Sequence, residues 1–180
     1  MDKIAQIVLP MLEGSEITLQ IFLITFLLVL PLGLLIALGH IARFRPLRLL
    51  VAAYIWIMRG TPLMLQLLFV YFALPMIGLR LPDIMAALLA FTLNYAAYFS
   101  EIFRAGLQSI APAQPAAARM LGLTYGQTMR RIVIPQMIRR VLPPMSNETI
   151  NLVKDTSLMY ILAMNDLLRA APRNVQREFD

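Results

Sequence analysis

Charged residues that interrupt apolar segments are the first candidates for chemistry in this chain. Arg59, Glu101, Lys154 and Asp155 each lie within or at the end of such a segment. A charge buried among apolar residues is costly and usually faces protein or a polar cavity, where it can meet the charge of a ligand. With their polar neighbours they form a candidate substrate path, which comprises Arg59, Thr61, Asn94, Tyr98, Glu101, Asn151, Lys154, Asp155 and Ser157.

Each of these residues also has a purely structural explanation. Polar side chains in apolar spans commonly form hydrogen bonds between helices, and Arg59 close to a headgroup would extend its charge to the membrane surface. Glu101 stands three residues before Arg104, at the spacing of a helical salt bridge. Lys154 and Asp155 are adjacent, so on a helix they point in different directions and need not pair.

The residue types that the sequence lacks exclude several classes of site. There is no cysteine and a single histidine, His40, so we expect no metal site. The chain has no Gly-x-x-x-x-Gly-Lys motif, so it cannot bind and hydrolyse ATP through such a loop. An enzyme with Glu101 and Asp155 as acid and base would lack a nucleophile–base pair, so we expect no catalytic residues.

Composition places the chain in a membrane. Hydrophobic residues make up 59% of the chain and charged residues 14%, whereas soluble domains carry about 25% charged residues. The mean hydropathy of +0.72 agrees with a lipid environment. The net charge of +6 does not indicate nucleic-acid binding, because the basic residues interrupt apolar spans instead of lining one helix face.

The apolar segments predict four membrane spans. Residues 17–38 carry no charge and are long enough to cross a bilayer. Residues 49–76 form a second span, which is broken at Arg59-Gly60-Thr61-Pro62, where adjacent Gly and Pro favour a bent helix. Residues 84–100 and 141–162 form the third and fourth spans, although acidic and basic residues make the fourth weakly apolar.

Charge placement predicts how the chain is oriented. Residues 1–16 form an N-terminal segment, either a short helix at the membrane interface or a frayed terminus. If this segment lies outside the cell, nine basic residues fall in the inner connections and five outside. The positive-inside rule then places the connection between the third and fourth spans in the cytoplasm.

That connection contains residues 114–135, which carry arginines, no acid and the local signals of helix, turn and helix. Pro115 suits the start of a first helix over residues 115–121, and three consecutive alanines give it a small-residue face that another surface can approach closely. Gly122 can supply the positive φ that ends this helix. Thr124 and Gln127 match a capping box for a second helix, which Pro135 would stop or bend. An ordinary helical hairpin is the alternative interpretation.

This loop resembles the signature of the inner-membrane permease subunits of bacterial ABC importers. That signature reads Glu-Ala-Ala, three residues, Gly, nine residues and Ile-x-Leu-Pro. Here Ala116-Ala117-Ala118, Gly122 and Ile132-Val133-Ile134-Pro135 stand at the same spacing. Further segments are similar to the polar-amino-acid branch (histidine, glutamine and arginine type): RGTPLMLQLLFVYFALP, SEIFRAGLQSI, VLPPMSNETINLVKDTSL and DLLRAA.

The resemblance implies an all-α membrane protein with the helical bundle of a type I ABC importer permease. Residues 17–171 would be the transmembrane permease domain, and a cytoplasmic coupling loop at residues 108–140 would dock in a cleft of a separate ABC ATPase dimer. The loop residues to which this role is carried over are Ala116, Ala117, Ala118, Gly122, Thr124, Arg130 and Pro135.

The resemblance also implies the partners of the chain in the bacterial inner membrane. ATP and Mg would bind in the partner ATPase, and no cofactor would bind in this chain. An extracytoplasmic binding protein would deliver the amino acid. A second permease subunit, identical or paralogous, would complete the translocation path within the lipid bilayer.

Two departures from the family pattern stand out. Ala116 replaces the glutamate of the signature, so the polar contact with the ATPase that the resemblance implies for this carboxylate is not expected here. The family usually has one more span after the DLLRAA segment, whereas residues 172–180 form a polar C-terminal segment. We therefore expect four spans and no fifth. Either the chain is truncated, which is the explanation we favour, or it is a variant that needs a partner to complete its bundle.

A self-contained secondary transporter driven by an ion gradient is the alternative function. Glu101, Lys154 and Asp155 lie in or beside apolar spans, and ionisable residues at such positions serve proton or sodium coupling in transporters. Transport by this chain alone, without an ATPase, would distinguish the two functions.

Overall fold

The computed structural model describes the backbone of residues 2–156 and the side chains of residue 15 and residues 18–156. All regular structure in that part of the chain is helical, as the sequence predicts. The helices in chain order are α1 (Asp2–His40), α2 (Arg45–Gly60), α3 (Leu63–Leu68), α4 (Leu74–Met76), α5 (Asp83–Gln108), α6 (Ala113–Met120), α7 (Tyr125–Thr128) and α8 (Ile134–Asp155). Two π-helical turns, Phe69–Ala73 and Met129–Val133, join α3 to α4 and α7 to α8.

The bundle is built on the contact between α1 and α5. Every fourth residue along the apolar part of α1 is buried, in one stripe of Ile21, Thr25, Val29, Gly33 and Ala37. A Cβ added at Gly33 would stand 3.0 Å from the Cβ of Phe99 on α5. Small residues at such a contact let two membrane helices approach closely. This matters because helices in lipid associate mainly through close packing and gain little from the hydrophobic effect.

Within the described residues, two helical stretches are long and apolar enough to cross a membrane, namely Thr18–His40 and Asp83–Gln108. A third candidate is the pair Arg45–Gly60 and Leu63–Met76, which is bent by 103° at the break that the sequence predicts. The predicted span at residues 141–162 begins within α8, which ends at Asp155 and is not among these candidates. Its last residues, like the DLLRAA segment and residues 172–180, lie outside the described part of the chain.

Two features differ from what the sequence suggests. The N-terminal residues form no separate element, because α1 is one continuous helix from Asp2 to His40. Pro135 does not stop its helix, and α8 continues to Asp155. The π turn at Met129–Val133 explains this, since the N–H of Ile134 bonds to the carbonyl of Met129, five residues back. Helices that widen locally in this way accept a proline that cannot donate a hydrogen bond.

Candidate functional site

Two side-chain amides hold the break between α2 and α3. The Nε2 of Gln66 donates to the carbonyl oxygen of Met58 at 3.0 Å and to the Oγ1 of Thr61 at 2.6 Å. The Nδ2 of Asn94, on α5, donates to the Met58 carbonyl and to the Oε1 of Gln66, both at 3.0 Å. The end of a helix leaves carbonyls without partners, and lipid offers none. The amides supply these partners and tie the bend to α5.

A polar cavity of about 580 Å³ lies beside this break, between α5 and the C-terminal half of α8. Its size falls within the range of about 300–1,000 Å³ that is usual for small-molecule sites. Seven of the nine residues of the predicted substrate path line it: Arg59, Thr61, Asn94, Tyr98, Asn151, Lys154 and Asp155. The fold therefore brings together polar residues from three separate segments of the sequence.

Two predicted path residues are not part of this lining. Ser157 lies outside the described residues. Glu101 lies in a neighbouring cavity, where its carboxylate meets three basic side chains. The Nη2 of Arg104 is 2.6 Å from one oxygen, the Nδ1 of His40 is 3.0 Å from the other, and the Nη1 of Arg59 is 3.8 Å away. The salt bridge to Arg104 is the structural alternative that the sequence offered, and it is present.

Arg59 lines the polar cavity, although its side chain is 44% exposed. Its guanidinium carbon lies 5.1 Å from the centre of the Tyr98 ring, a cation–π distance. It also lies near Glu101 and lines the 580 Å³ cavity. Arg59 thus has polar partners in the bundle, as the first of the two explanations predicts, and its position relative to a membrane surface stays a prediction.

Asn94 and Asp155 already have partners in the bundle. Both amide hydrogens of Asn94 are used in bonds to Met58 and Gln66. The hydroxyl of Tyr95 donates to the Oδ2 of Asp155 at 2.6 Å, which joins α5 to the end of α8. These contacts support the interhelical role for Asn94, whereas the Oδ1 of Asp155 makes no hydrogen bond with another described residue.

Sequence reasoning missed three residues of the site: Gln66, Tyr95 and Glu148. Glu148 lines the cavity and makes no hydrogen bond or salt bridge with another described residue. Its position was recoverable, because residues 148, 151 and 155 recur at the spacing of one helix face. No local signal distinguishes Gln66 from any other polar residue in a span, since its partners are set by the bend.

The loop between α5 and α8 contains the tight turn that the sequence predicts. The N–H of Leu123 bonds to the carbonyl of Ala118 at 3.0 Å, and that of Gly122 to the carbonyl of Arg119 at 2.9 Å. This is a Schellman motif, with Gly122 at a φ of 80°. Thr124 and Gln127 form the predicted capping box at the start of α7, so both local predictions are confirmed.

The surface of this loop differs from the predicted three-alanine face. Ala118 is buried, because it faces the interior of the hairpin, and only Ala116 and Ala117 are open. Large apolar side chains of the turn are also strongly exposed, with Met120 90%, Leu121 80% and Tyr125 78% exposed. Arg130 and Pro135 are also exposed. The sequence did not single out Met120, Leu121 and Tyr125, because apolar residues are expected throughout a membrane chain and their exposure depends on the fold.

Comparison with known proteins agrees with this architecture over almost the whole chain. A family model described as the inner membrane component of binding-protein-dependent transport systems matches residues 29–179. The arginine transport system permease protein ArtQ of Bacillus subtilis is 40% identical over 161 residues, which cover 89% of this chain and 74% of that protein. The L-cystine transport system permease protein TcyB of the same organism is 35% identical over 180 residues, 99% of this chain and 77% of that protein.

Solved structures agree with the fold. A crystal structure of an amino acid ABC transporter with histidines superposes with a TM-score of 0.75 at 34% identity, over 96% of this chain and 84% of that chain. The methionine ABC transporter MetNI, in inward-facing form, shares the fold at 21% identity and a TM-score of 0.58, over 81% and 69% of the two chains. The resemblance found in the loop is confirmed, and the chain belongs to the family of inner-membrane components of binding-protein-dependent transport systems.

Proposed function

We propose that the chain is the transmembrane subunit of an ATP-driven amino-acid importer, in which it forms the translocation path. The observation that carries this proposal is the 580 Å³ polar cavity inside the bundle of a chain whose relatives are named arginine and cystine permeases. Two basic and two acidic side chains line the cavity: Arg59, Lys154, Glu148 and Asp155. These side chains could meet both charges of a zwitterionic amino acid.

The loop at residues 108–140 is assigned to coupling with a separate ABC ATPase dimer, which binds ATP and Mg. The exposure of Met120, Leu121 and Tyr125 supports this assignment, because a cluster of large apolar side chains on a polar loop is typical of a protein interface. Ala116 and Ala117 add an open small-residue surface beside it. In this arrangement the loop is cytoplasmic and the N-terminus extracytoplasmic, where a binding protein delivers the amino acid. A second permease subunit completes the path.

Reconstitution tests this function. We expect the chain to co-purify with a separate ABC ATPase. Vesicles that hold both proteins should accumulate arginine, glutamine or cystine when ATP and the binding protein are supplied on their respective sides. Vesicles that hold the chain without the ATPase should not. Uptake by the chain alone along a proton or sodium gradient would overturn the proposal in favour of a secondary transporter, and a non-hydrolysable ATP analogue is the control for the ATP requirement.

The charges at the end of α8 give a second test. We expect Asp155→Asn to raise the KM for uptake about 10- to 100-fold, because a hydrogen bond to a charged group contributes about 1.5–3 kcal/mol. The asparagine oxygen can still accept from Tyr95, so the contact between α5 and α8 is retained. Lys154→Gln should also raise KM, because Lys154 lines the same cavity. The measurement is the initial rate of uptake against substrate concentration.

Ser146→Ala is the matched control for these variants. Ser146 lies on the same helix, is exposed and bonds only to the carbonyl of Leu142, one turn earlier. Uptake by this variant should equal that of the parent. Normal transport by both Asp155→Asn and Lys154→Gln would remove the pair from the substrate path while leaving the family assignment intact.

A further inference from the structure

Two cavities meet at one set of side chains in the bundle. The second cavity has a volume of about 470 Å³ and lies between α5 and α8. It reaches Ser109 and Arg140, which stand at the two ends of the loop. Arg59, Tyr98 and Glu148 line both cavities. These three side chains therefore lie where the substrate cavity adjoins the cavity that reaches the loop.

The three side chains come from three different elements, since Arg59 belongs to α2, Tyr98 to α5 and Glu148 to α8. Arg59 lies over the Tyr98 ring at 5.1 Å. Its Nη1 is 3.8 Å from the Oε2 of Glu101, at the limit of a salt bridge. A direct charge-assisted hydrogen bond is about 2.7–2.9 Å long, so this contact can be broken by motion of the arginine side chain without a shift of the helices.

Glu101 is itself held rigidly. Arg104 donates from Nε to Oε1 at 2.9 Å and from Nη2 to Oε2 at 2.6 Å, a two-pronged contact. The Nδ1 of His40 lies 3.0 Å from Oε1 and fixes the carboxylate from α1. The Oε2 oxygen can still accept a further hydrogen bond, in a direction that these contacts fix. The guanidinium of Arg59 lies 3.8 Å from this oxygen.

We propose that Glu101 is a positioning residue that holds Arg59 across the passage between the two cavities and so closes the substrate cavity towards the loop. This inference rests on the proposed transport function. A chain of contacts leads from this passage to the loop, because the Nη1 of Arg104 donates to the Oε1 of Gln108 at 2.6 Å, at the last residue of α5. Arg140 in turn donates to the carbonyl of Ser109. Displacement of the loop can thus reach the carboxylate that holds Arg59.

Thiol accessibility tests the proposal, because the chain has no cysteine of its own. Asn151→Cys places a single thiol in the substrate cavity. Vesicles that hold the complete transporter are kept free of ATP. A membrane-impermeant maleimide is then added only on the side of the membrane that faces the loop. We expect slow labelling of Asn151→Cys alone and at least about tenfold faster labelling after Glu101→Gln or Arg59→Gln, since either change shifts a closed population towards open.

The double variant Glu101→Gln and Arg59→Gln shows whether Glu101 acts through Arg59 or whether the two residues affect labelling independently. If Glu101 acts through Arg59, then Glu101→Gln combined with Arg59→Gln labels no faster than either single variant. Additive acceleration, or an unchanged rate in both single variants, would overturn the proposal. Arg59→Lys keeps the charge without the planar guanidinium and should restore part of the closure.

His40→Gln is the matched control. It removes another partner of the same carboxylate, but His40 lines neither of the two cavities. Its labelling rate should stay within about twofold of the parent, because Arg104 still orients Glu101. If His40→Gln labelled as fast as Glu101→Gln, then Glu101 would have only a structural role, and the proposal would be overturned. The labelling needs neither an amino acid nor ATP hydrolysis, so a failure of the proposed transport function is measured separately, by uptake.

Discussion

Replacing Gly122 by valine is expected to lower substrate-stimulated ATP hydrolysis by the complete transporter about tenfold or more. Gly122 has a φ of 80°, where an L-residue costs about 1–2 kcal/mol and a β-branched residue more. The Schellman turn would open, and the exposed side chains of Met120 and Leu121 would change position relative to α7. The measurement is ATP hydrolysis with and without the loaded binding protein, in complexes checked for intact assembly.

Gly78 offers a matched control. It ends α4 in the same kind of turn, with a φ of 88°, and its N–H bonds to the carbonyl of Pro75 at 3.1 Å. A Cβ at Gly78 or Gly122 would meet no heavy atom within 4 Å, so both substitutions act through backbone strain alone. Gly78→Val should therefore cost similar stability but leave stimulated hydrolysis near the parent level. Unchanged stimulation in Gly122→Val would exclude the coupling role of the loop.

The second large effect is expected at Gly106, where α5 and α8 approach most closely. A Cβ at this position would collide with the Cγ1 of Val141 and would come within 3.3 Å of the Cγ of Met137. Both neighbours are buried, so neither can turn away freely. Gly106→Ala should destabilise the bundle by about 1–3 kcal/mol, the usual cost of an extra methyl in a packed core. Thermal unfolding in detergent measures this change.

Relief of the collision provides the check. Val141→Ala removes the methyl group that collides, so Gly106→Ala combined with Val141→Ala should recover most of the stability that the single change loses. Gly126→Ala, in α7, meets no heavy atom within 4 Å and should be neutral or slightly stabilising. If Gly106→Ala were as harmless as Gly126→Ala, the close approach of α5 to α8 would be incorrect.

The loop was predictable from the sequence in some detail. The glycine at the end of α6 and the Thr124–Gln127 capping box are both present, because each depends on residues at most a few positions apart. The spacing of Ala116-Ala117-Ala118, Gly122 and Pro135 also indicated the family before any comparison. The outcome at Pro135 was not predictable, because a π turn whose bonds run five residues back has no sequence signature here.

The residues that line the polar cavity were largely predictable from the sequence, but the position of the cavity in the fold was not. Polarity within apolar spans selected seven of its lining residues, since each is costly in lipid and needs a partner. It could not separate residues that face the cavity from residues that hold helices together. Asn94 proved to bond Met58 and Gln66, and Glu101 proved to bond His40 and Arg104. Met58, Gln66 and His40 come from other segments of the chain, so no local spacing reveals them. Arg104 stands three residues after Glu101 and was predicted from that spacing as its salt-bridge partner.

The amino-acid sequence by itself determined that this is a helical membrane chain with a helix–turn–helix loop. The length of the apolar segments, the placement of charges and the residues that end helices, such as Gly122, determine structure within one helix or one turn. These signals depend only on residues close together in the sequence. Only the tertiary structure decided that Arg59 lies between Tyr98 and Glu101, and that two cavities meet there. That arrangement depends on a 103° bend and on contacts between distant segments, where small residues such as Gly33 and Gly106 set how closely the helices pack.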